Sequence, residues 1–173
     1  MPRCALDLAD SGAVRVSEII DLITACDYSV HDISRVEPGL PPFNMPFELG
    51  ADLGLRLKGP KLQQRRKTLI LDTEPHRYDQ TLSGISGMDA EAHKDDPVQV
   101  IRRVRDWLNS HRPSEDPLPG SRALHDDYVA YGEIAPRIIE GLRLDPHDDL
   151  PHTDFLHVVE RALPLIAQAR ESR

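Results

Sequence analysis

Hydrophobic residues near the start of the chain repeat with the period of a helix. Val16, Ile19, Ile20 and Ile23 occupy positions i, i+3, i+4 and i+7, which share one side of an α-helix. The spacing predicts an amphipathic helix over residues 14–25.

Bulky and polar residues then alternate from Asp27 to Ser34, the period-two pattern of a half-buried strand. A proline-rich loop follows over residues 37–46. We expect a helix to begin near Asn44 or Met45 with Pro46 in its first turn, where a missing N–H costs no hydrogen bond. Beyond it, the largely apolar run Thr68 to Leu71 is typical of a strand buried on both faces.

With a short strand expected over Arg3 to Asp7, strands and helices alternate along the first part of the chain. This order predicts the α/β class, with a small parallel sheet flanked by helices. The remaining pattern is helical, with helices beginning at Asp96-Pro97 and covering Leu124 to Leu142 and Phe155 to Ile166. Because prolines and glycine cluster between the first two of these helices, we predict a core over residues 1–112 and a helical extension over 113–173 packed on it.

Composition narrows the function classes. The 173 residues carry a formal net charge of −8, which opposes general binding to nucleic acid. No apolar run approaches the roughly 20 residues of a membrane span. The two cysteines cannot form a disulfide framework, so we expect a cytoplasmic protein.

Polar residues are expected to meet where the parallel strands end. Ligands of such sheets bind beyond the carboxyl ends of the strands, and the free N–H groups of the helix near Asn44 favour an anion or polar ligand there. The candidates at this edge are Asp32, Ser34, Arg35, Asn44, Glu48 and Asp72.

Each main candidate also has a structural interpretation. Glu48 in a first helical turn complements the helix dipole or closes a capping box. Asp32 at a strand end is typical of an Asx turn, and Arg35 of a solvated surface residue. Asp27 is more typical of the start of its strand than of a binding residue.

Metal and cofactor sites are not expected. The clusters His125-Asp126-Asp127 and His147-Asp148-Asp149 match no standard zinc spacing and lie in polar stretches. A metal-dependent enzyme is therefore the least favoured interpretation. The chain contains no P-loop or dinucleotide-binding glycine motif, so no cofactor is predicted.

Two segments together resemble a known superfamily. The first segment is Cys26-Asp27-Tyr28-Ser29-Val30-His31-Asp32-Ile33-Ser34-Arg35, and after a short loop the second is Phe43-Asn44-Met45-Pro46-Phe47-Glu48-Leu49-Gly50. Both are similar to segments of an uncharacterised bacterial branch that is related to nucleoside 2-deoxyribosyltransferases and, distantly, to Toll/interleukin-receptor-type domains. The resemblance covers roughly residues 3–72. It implies a flavodoxin-like sheet without its first strand, because family members begin with a central strand and helix upstream of the segment at which this chain starts.

The resemblance also implies roles for individual residues. Glu48 matches the nucleophile of the transferases, Asp27 the Asp that opens the strand, and Asp32 an Asp common at the strand end. Glu48 and Asp32 are therefore the predicted catalytic residues, and Asp27 is a predicted ligand-binding residue. The implied function is binding of a nucleoside, nucleotide or NAD-like ligand, with cleavage or transfer at its N-glycosidic bond if the domain is active. The rival hypothesis is a catalytically inactive ligand-binding or assembly module of the same fold. Its uncovered sheet edge could pair with a second copy of the chain, so a homo-oligomer is an alternative.

Overall fold

The computed structural model describes residues 3–4, 14–34, 44–80, 82, 84, 87–145 and 150–171. Its helices and strands, in chain order, are α1 (Arg15–Thr24), β1 (Tyr28–Asp32), α2 (Asn44–Lys58), β2 (Lys67–Asp72), β3 (Glu91–Ala92), α3 (Pro97–His111), α4 (Ser121–Gly141) and α5 (His152–Glu171). Short 3₁₀ turns cover Gln63–Arg65 and Arg77–Gln80. Among these described elements, no helix is both long and apolar enough to cross a membrane.

Internal contacts divide the chain into two compact units. One covers residues 11–118 and contains α1, α2, α3 and the sheet, and the other groups residues 119–173 with residues 1–10 and contains α4 and α5. The predicted packing of the helical extension on the core stays a prediction.

The sheet is parallel and has three strands in the order β1-β2-β3. Tyr28 of β1 pairs with Lys67 of β2, and Leu71 of β2 pairs with Glu91 of β3. This confirms the α/β class with a parallel sheet and a helical C-terminal part. Because β1 and β2 pair directly, a further strand could join only at the outer edge of β1 or of β3.

The core of the sheet unit forms where α2 covers one face of the sheet. Ile33, Leu49, Leu53, Ile70 and Tyr78 make one buried cluster. Two parallel strands joined by a helix require that helix to run back antiparallel to them. The N-terminal end of α2 therefore lies at the carboxyl ends of β1 and β2.

The sequence patterns located most of these elements. The predicted helices appear as α1 to α5, with Pro46 in the first turn of α2 as expected. Asp96 caps α3, since its side chain accepts a hydrogen bond of 2.9 Å from the Val98 N–H. Helices α4 and α5 continue through Pro136 and Pro164.

Two expectations about strands have a different outcome. Of the predicted first strand, only Arg3 and Cys4 are described, and neither is in a strand, while the remainder lies outside the described residues. β3 was not predicted, because two residues carry no periodic pattern.

Candidate functional site

The carboxyl ends of the three strands meet at one edge of the sheet, called here the carboxyl edge. Asp32 is the last residue of β1, Asp72 is the last residue of β2, and His93 follows β3 directly. The backbone N–H of His93 donates to the Asp72 carbonyl over 2.9 Å, which extends the β2–β3 pairing by one residue. The topology thus places two predicted site residues and one unpredicted histidine at the same edge of the sheet.

Asp72 is fully buried and organises this edge. Its Oδ1 accepts hydrogen bonds from the Thr73 N–H at 2.7 Å and from the Arg77 Nε at 2.6 Å. Arg77 Nη2 also donates to the carbonyl oxygens of Ile33 at 2.8 Å and Ser34 at 2.9 Å. Arg77 therefore ties the segment after β1 to the end of β2, a role that its sequence context did not reveal.

The second oxygen of Asp72 lacks a hydrogen-bond donor. Oδ2 is buried and has no hydrogen-bond partner among the described residues. A buried acceptor without a donor is costly, so this oxygen favours a donor, although the fully buried side chain lines neither of the cavities described below. The assignment of Asp72 as a ligand-binding residue therefore stays a prediction.

Asp32 forms the Asx turn expected of it. Its Oδ1 accepts a hydrogen bond of 2.9 Å from the Ser34 N–H. The Asp32 side chain is nevertheless 44% exposed, and the same Oδ1 lies 3.6 Å from Nε2 of His93. The turn therefore holds the carboxylate in place while leaving it accessible.

Strand alternation separates Asp32 from Glu48. Ser29 and His31 of β1 contact Asp52 of α2, so the odd-numbered side chains of β1 face α2. Asp32 belongs to the opposite face. A ligand touches both predicted catalytic carboxylates only if it spans the end of β1.

Glu48 lies on α2 one turn before Asp52, on the same helical face. Glu48 is the fifth residue of the helix, so the expectation that it lies in the first turn is wrong. A capping box places its Glu at the third helical position, and Glu48 lies beyond that position. Its side chain is half-buried, and none of the hydrogen bonds or ion pairs among described residues involves it. The capping interpretation of Glu48 is thus disfavoured.

The other predicted residues vary in placement. Asn44 is exposed at the start of α2, and Ser34 is half-buried next to Asp32. Asp27 precedes β1 at the amino end of the strand, about 16 Å from Asp32 by strand geometry. The structure therefore does not bring Asp27 to the carboxyl edge. Arg35 lies outside the described residues.

A buried polar cluster centred on Asp52 was missed by the sequence analysis. Asp52 accepts hydrogen bonds from Ser29 at 2.5 Å, Thr68 at 2.8 Å and Arg66 Nε at 2.9 Å, and His31 Nε2 lies 3.3 Å away. The only available signal was its place between Leu49 and Leu53 on the inward side of α2.

Burial alone would raise the pKa of Asp52, but hydrogen bonds from His31, Ser29 and Thr68 and the charge of Arg66 outweigh it. The net effect holds the pKa of Asp52 well below its ordinary range, so the carboxylate is ionised. Arg66 also donates to the carbonyl oxygens of Ile23 and Cys26 at the end of α1. The cluster joins α1, α2, β1 and β2, and Ser29 and Thr68 lie toward the amino ends of their strands, away from the carboxyl edge.

Left-handed backbone conformations occur next to the carboxyl edge. His76, after β2, has φ of 61°, and Lys94 and Asp95, after β3, have φ of 56° each. Non-glycine residues adopt this conformation uncommonly, although Asp and His do so more readily than most, and such positions are found at functional sites as well as at helix ends such as Arg143 after α4. Their position supports this edge as the candidate site.

A cavity of about 220 Å³ lies on the α2 side of β2, and neither Glu48 nor Asp72 lines it. Its lining residues are Leu53, Arg56, Thr68, Ile70, Met88 and Asp89. A second cavity of about 200 Å³ lies between α4 and α5 and is lined in part by Asp127 and Arg170, which form an ion pair. Neither cavity includes a residue predicted from the sequence as part of the site.

Metal binding has no support in the described part of the chain. There, no three His, Cys, Asp or Glu side chains are grouped so that they could hold an ion. The His125 cluster belongs to α4, while residues 147–149 lie outside the described residues.

The fold and the site define an α/β protein with a polar carboxyl edge. Comparison with known proteins does not assign the chain to a family: no family model, curated protein or solved structure matches it. The resemblance to nucleoside 2-deoxyribosyltransferases therefore stays a prediction.

Proposed function

We propose that this protein binds a nucleoside, nucleotide or NAD-like molecule at the carboxyl edge and cleaves or transfers at its N-glycosidic bond through Glu48. The observation that carries the proposal is the half-buried Glu48 side chain, which has no hydrogen bond or ion pair with the described residues. It lies in the N-terminal part of α2, whose start is at the carboxyl edge. The proposal includes a cytoplasmic setting and a small-molecule ligand.

The chemistry requires a carboxylate near the sugar. As the bond between C1′ and the base nitrogen breaks, the base leaves with the bonding electrons and positive charge develops at C1′. A nucleobase takes up a proton from water as it leaves, whereas the cationic nicotinamide ring of an NAD-like ligand leaves neutral and needs none. Glu48 would stabilise the positive charge at C1′ or form a covalent ester with C1′. Water or a second base would then attack C1′ and release Glu48. Asp32 and Asn44 would hold the sugar hydroxyls, with the sugar placed across the end of β1.

Replacing Glu48 with glutamine tests this role directly. Glu48→Gln keeps the size of the side chain and removes its charge, so we expect base release from nucleosides or NAD to fall by about 100-fold or more. The free energy of unfolding should change by less than about 0.5 kcal/mol, because no described hydrogen bond or ion pair is lost and the side-chain volume is kept. Chromatography of the released base and thermal melting measure the two effects.

The matched control is Glu133→Gln, at an exposed position of α4. It should leave both base release and melting unchanged. Equal turnover by wild type and Glu48→Gln would overturn the catalytic assignment, and a melting loss of several degrees would instead assign Glu48 a structural role.

A catalytically inactive binding or assembly module is the second candidate. Within the described residues, no strand pairs with the outer edge of β1, and an unpaired edge can add a strand from another chain. Sedimentation combined with the base-release assay separates the candidates: a monomer that releases base excludes the assembly module, and a dimer without base release favours it.

A further inference from the structure

We propose that His93 is a positioning residue that holds Asp32 so that the carboxylate receives the hydroxyl groups of a sugar. The ring of His93 is buried, with its side chain 4% exposed, and Nε2 lies 3.6 Å from Asp32 Oδ1. The inference rests on the proposed function for the identity of the ligand, whereas the pairing of His93 with Asp32 stands on geometry alone.

The tautomer of His93 follows from its other nitrogen. Nδ1 lies 3.2 Å from the backbone nitrogen of Asp95, whose N–H can only donate. Nδ1 therefore accepts, and in the neutral ring the proton is on Nε2. The left-handed backbone at Lys94 and Asp95 is part of the turn that brings this N–H to the ring.

This assignment places a proton on Nε2, the ring nitrogen that lies 3.6 Å from Asp32 Oδ1. Nε2 is buried and has no hydrogen-bond partner among the described residues. Its distance from Asp32 Oδ1 exceeds a hydrogen bond of about 2.9 Å by less than an ångström. Hydrogen bonds in functional sites are often long without ligand and shorten when it binds. We expect this contact to shorten in the same way.

The carboxylate oxygen of Asp32 that has no hydrogen bond with described residues defines the class of ligand. Oδ1 accepts from the Ser34 N–H and faces His93, whereas Oδ2 takes part in no hydrogen bond with described residues. An ionised carboxylate only accepts hydrogen bonds, so the group that it binds must be a donor. Sugar hydroxyls meet this requirement and a phosphate group does not.

Imidazole NMR tests the pairing without any ligand. Long-range ¹H–¹⁵N spectra of the full chain should show the Nε2–H tautomer for His93. His111 is the internal reference for the opposite tautomer, because its Nδ1 lies 2.8 Å from the Trp107 carbonyl oxygen, which only accepts. Asp32→Asn should shift the Nε2 proton of His93 and leave His111 unchanged. An Nδ1–H tautomer of His93, or no response to Asp32→Asn, would overturn the pairing.

Binding measurements test the ligand class with adenosine and 2′,3′-dideoxyadenosine. His93→Leu should weaken adenosine binding about tenfold, the effect of one hydrogen bond to a charged group. It should leave the dideoxy analogue unaffected, and His93→Gln, which retains a side-chain N–H, should restore most of the affinity. Equal losses for both ligands would refute the hydroxyl subsite. If wild type binds neither nucleoside, the proposed function and the ligand class fail together, while the NMR result still decides the pairing.

Discussion

Replacing Asp52 with alanine is expected to destabilise the sheet unit strongly. Asp52 is 0% exposed and Arg66 is 3% exposed, and their side chains are joined by a hydrogen bond of 2.9 Å. The substitution removes the carboxylate and leaves the guanidinium buried without its counter-charge. Ser29 and Thr68 lose their acceptor at the same time.

The expected magnitude follows from this burial. Breaking a buried ion pair by removing one partner costs about 3–5 kcal/mol. For a unit of about 100 residues, 1 kcal/mol corresponds to roughly 4–8 °C in Tm, so the loss should be about 12 °C or more. Since whole domains are stable by only about 5–15 kcal/mol, such a loss is a large fraction of the total.

Urea denaturation followed by circular dichroism measures this loss. Asp106→Ala is the matched control, because Asp106 is an exposed acid on α3 whose ion pairs with Arg102 and Arg105 lie at the surface. It should cost less than about 1 kcal/mol. Asp52→Asn preserves the side-chain volume, and we expect it to lose most of what Asp52→Ala loses.

Two outcomes would refute this reasoning. If Asp52→Ala costs no more than Asp106→Ala, the cluster does not stabilise the fold. If Asp52→Asn is as stable as wild type while Asp52→Ala is not, packing volume rather than charge pairing explains the effect.

Three further predictions concern pH, the carboxyl edge and α3. The folded-state pKa of Asp52 lies below its ordinary value of 3.8, so the unfolded chain binds more protons at low pH. The stabilisation should be complete above about pH 5 and be lost as pH falls through the folded pKa; acid titration of Asp52→Asn should lack that loss. Arg77→Leu, which deprives Asp72 of its charged donor, should lower the free energy of unfolding in urea by about 2–3 kcal/mol. Arg77→Lys should recover little of this loss, because lysine lacks the planar guanidinium group. Full recovery of stability by lysine would contradict this prediction. Asp96→Ala should lower stability by about 1 kcal/mol by removing the cap on the Val98 N–H, whereas a Tm equal to that of wild type would show that the cap contributes nothing.

The elements with a strong local pattern were predictable. The apolar stripe of α1 and the continuous apolar run of β2 express burial that each segment carries in its own sequence. The two-residue β3 was not, because it exists only by pairing with the end of β2. A strand of this length has no periodicity to detect.

The candidate site was predictable in part. The placement of Asp32 and Asp72 at the carboxyl edge was predictable because parallel strands place their last residues at one edge. His93 and Arg77 were missed, since each acts on a residue that is distant in sequence: Arg77 donates to Ile33 and His93 faces Asp32. Asp27 was included from the resemblance, and the strand direction places it at the opposite end.

The amino-acid sequence by itself determined where most helices and strands form and that the sheet is parallel, because side-chain periodicity and the order of segments are local properties. The tertiary structure alone decided which polar residues are buried and what they contact. Asp52 is an ordinary acidic residue of a helix until β1 and β2 place Ser29 and Thr68 against it. The physical reason is that desolvation and hydrogen bonding depend on neighbours in space, and those neighbours come from segments that only folding brings together.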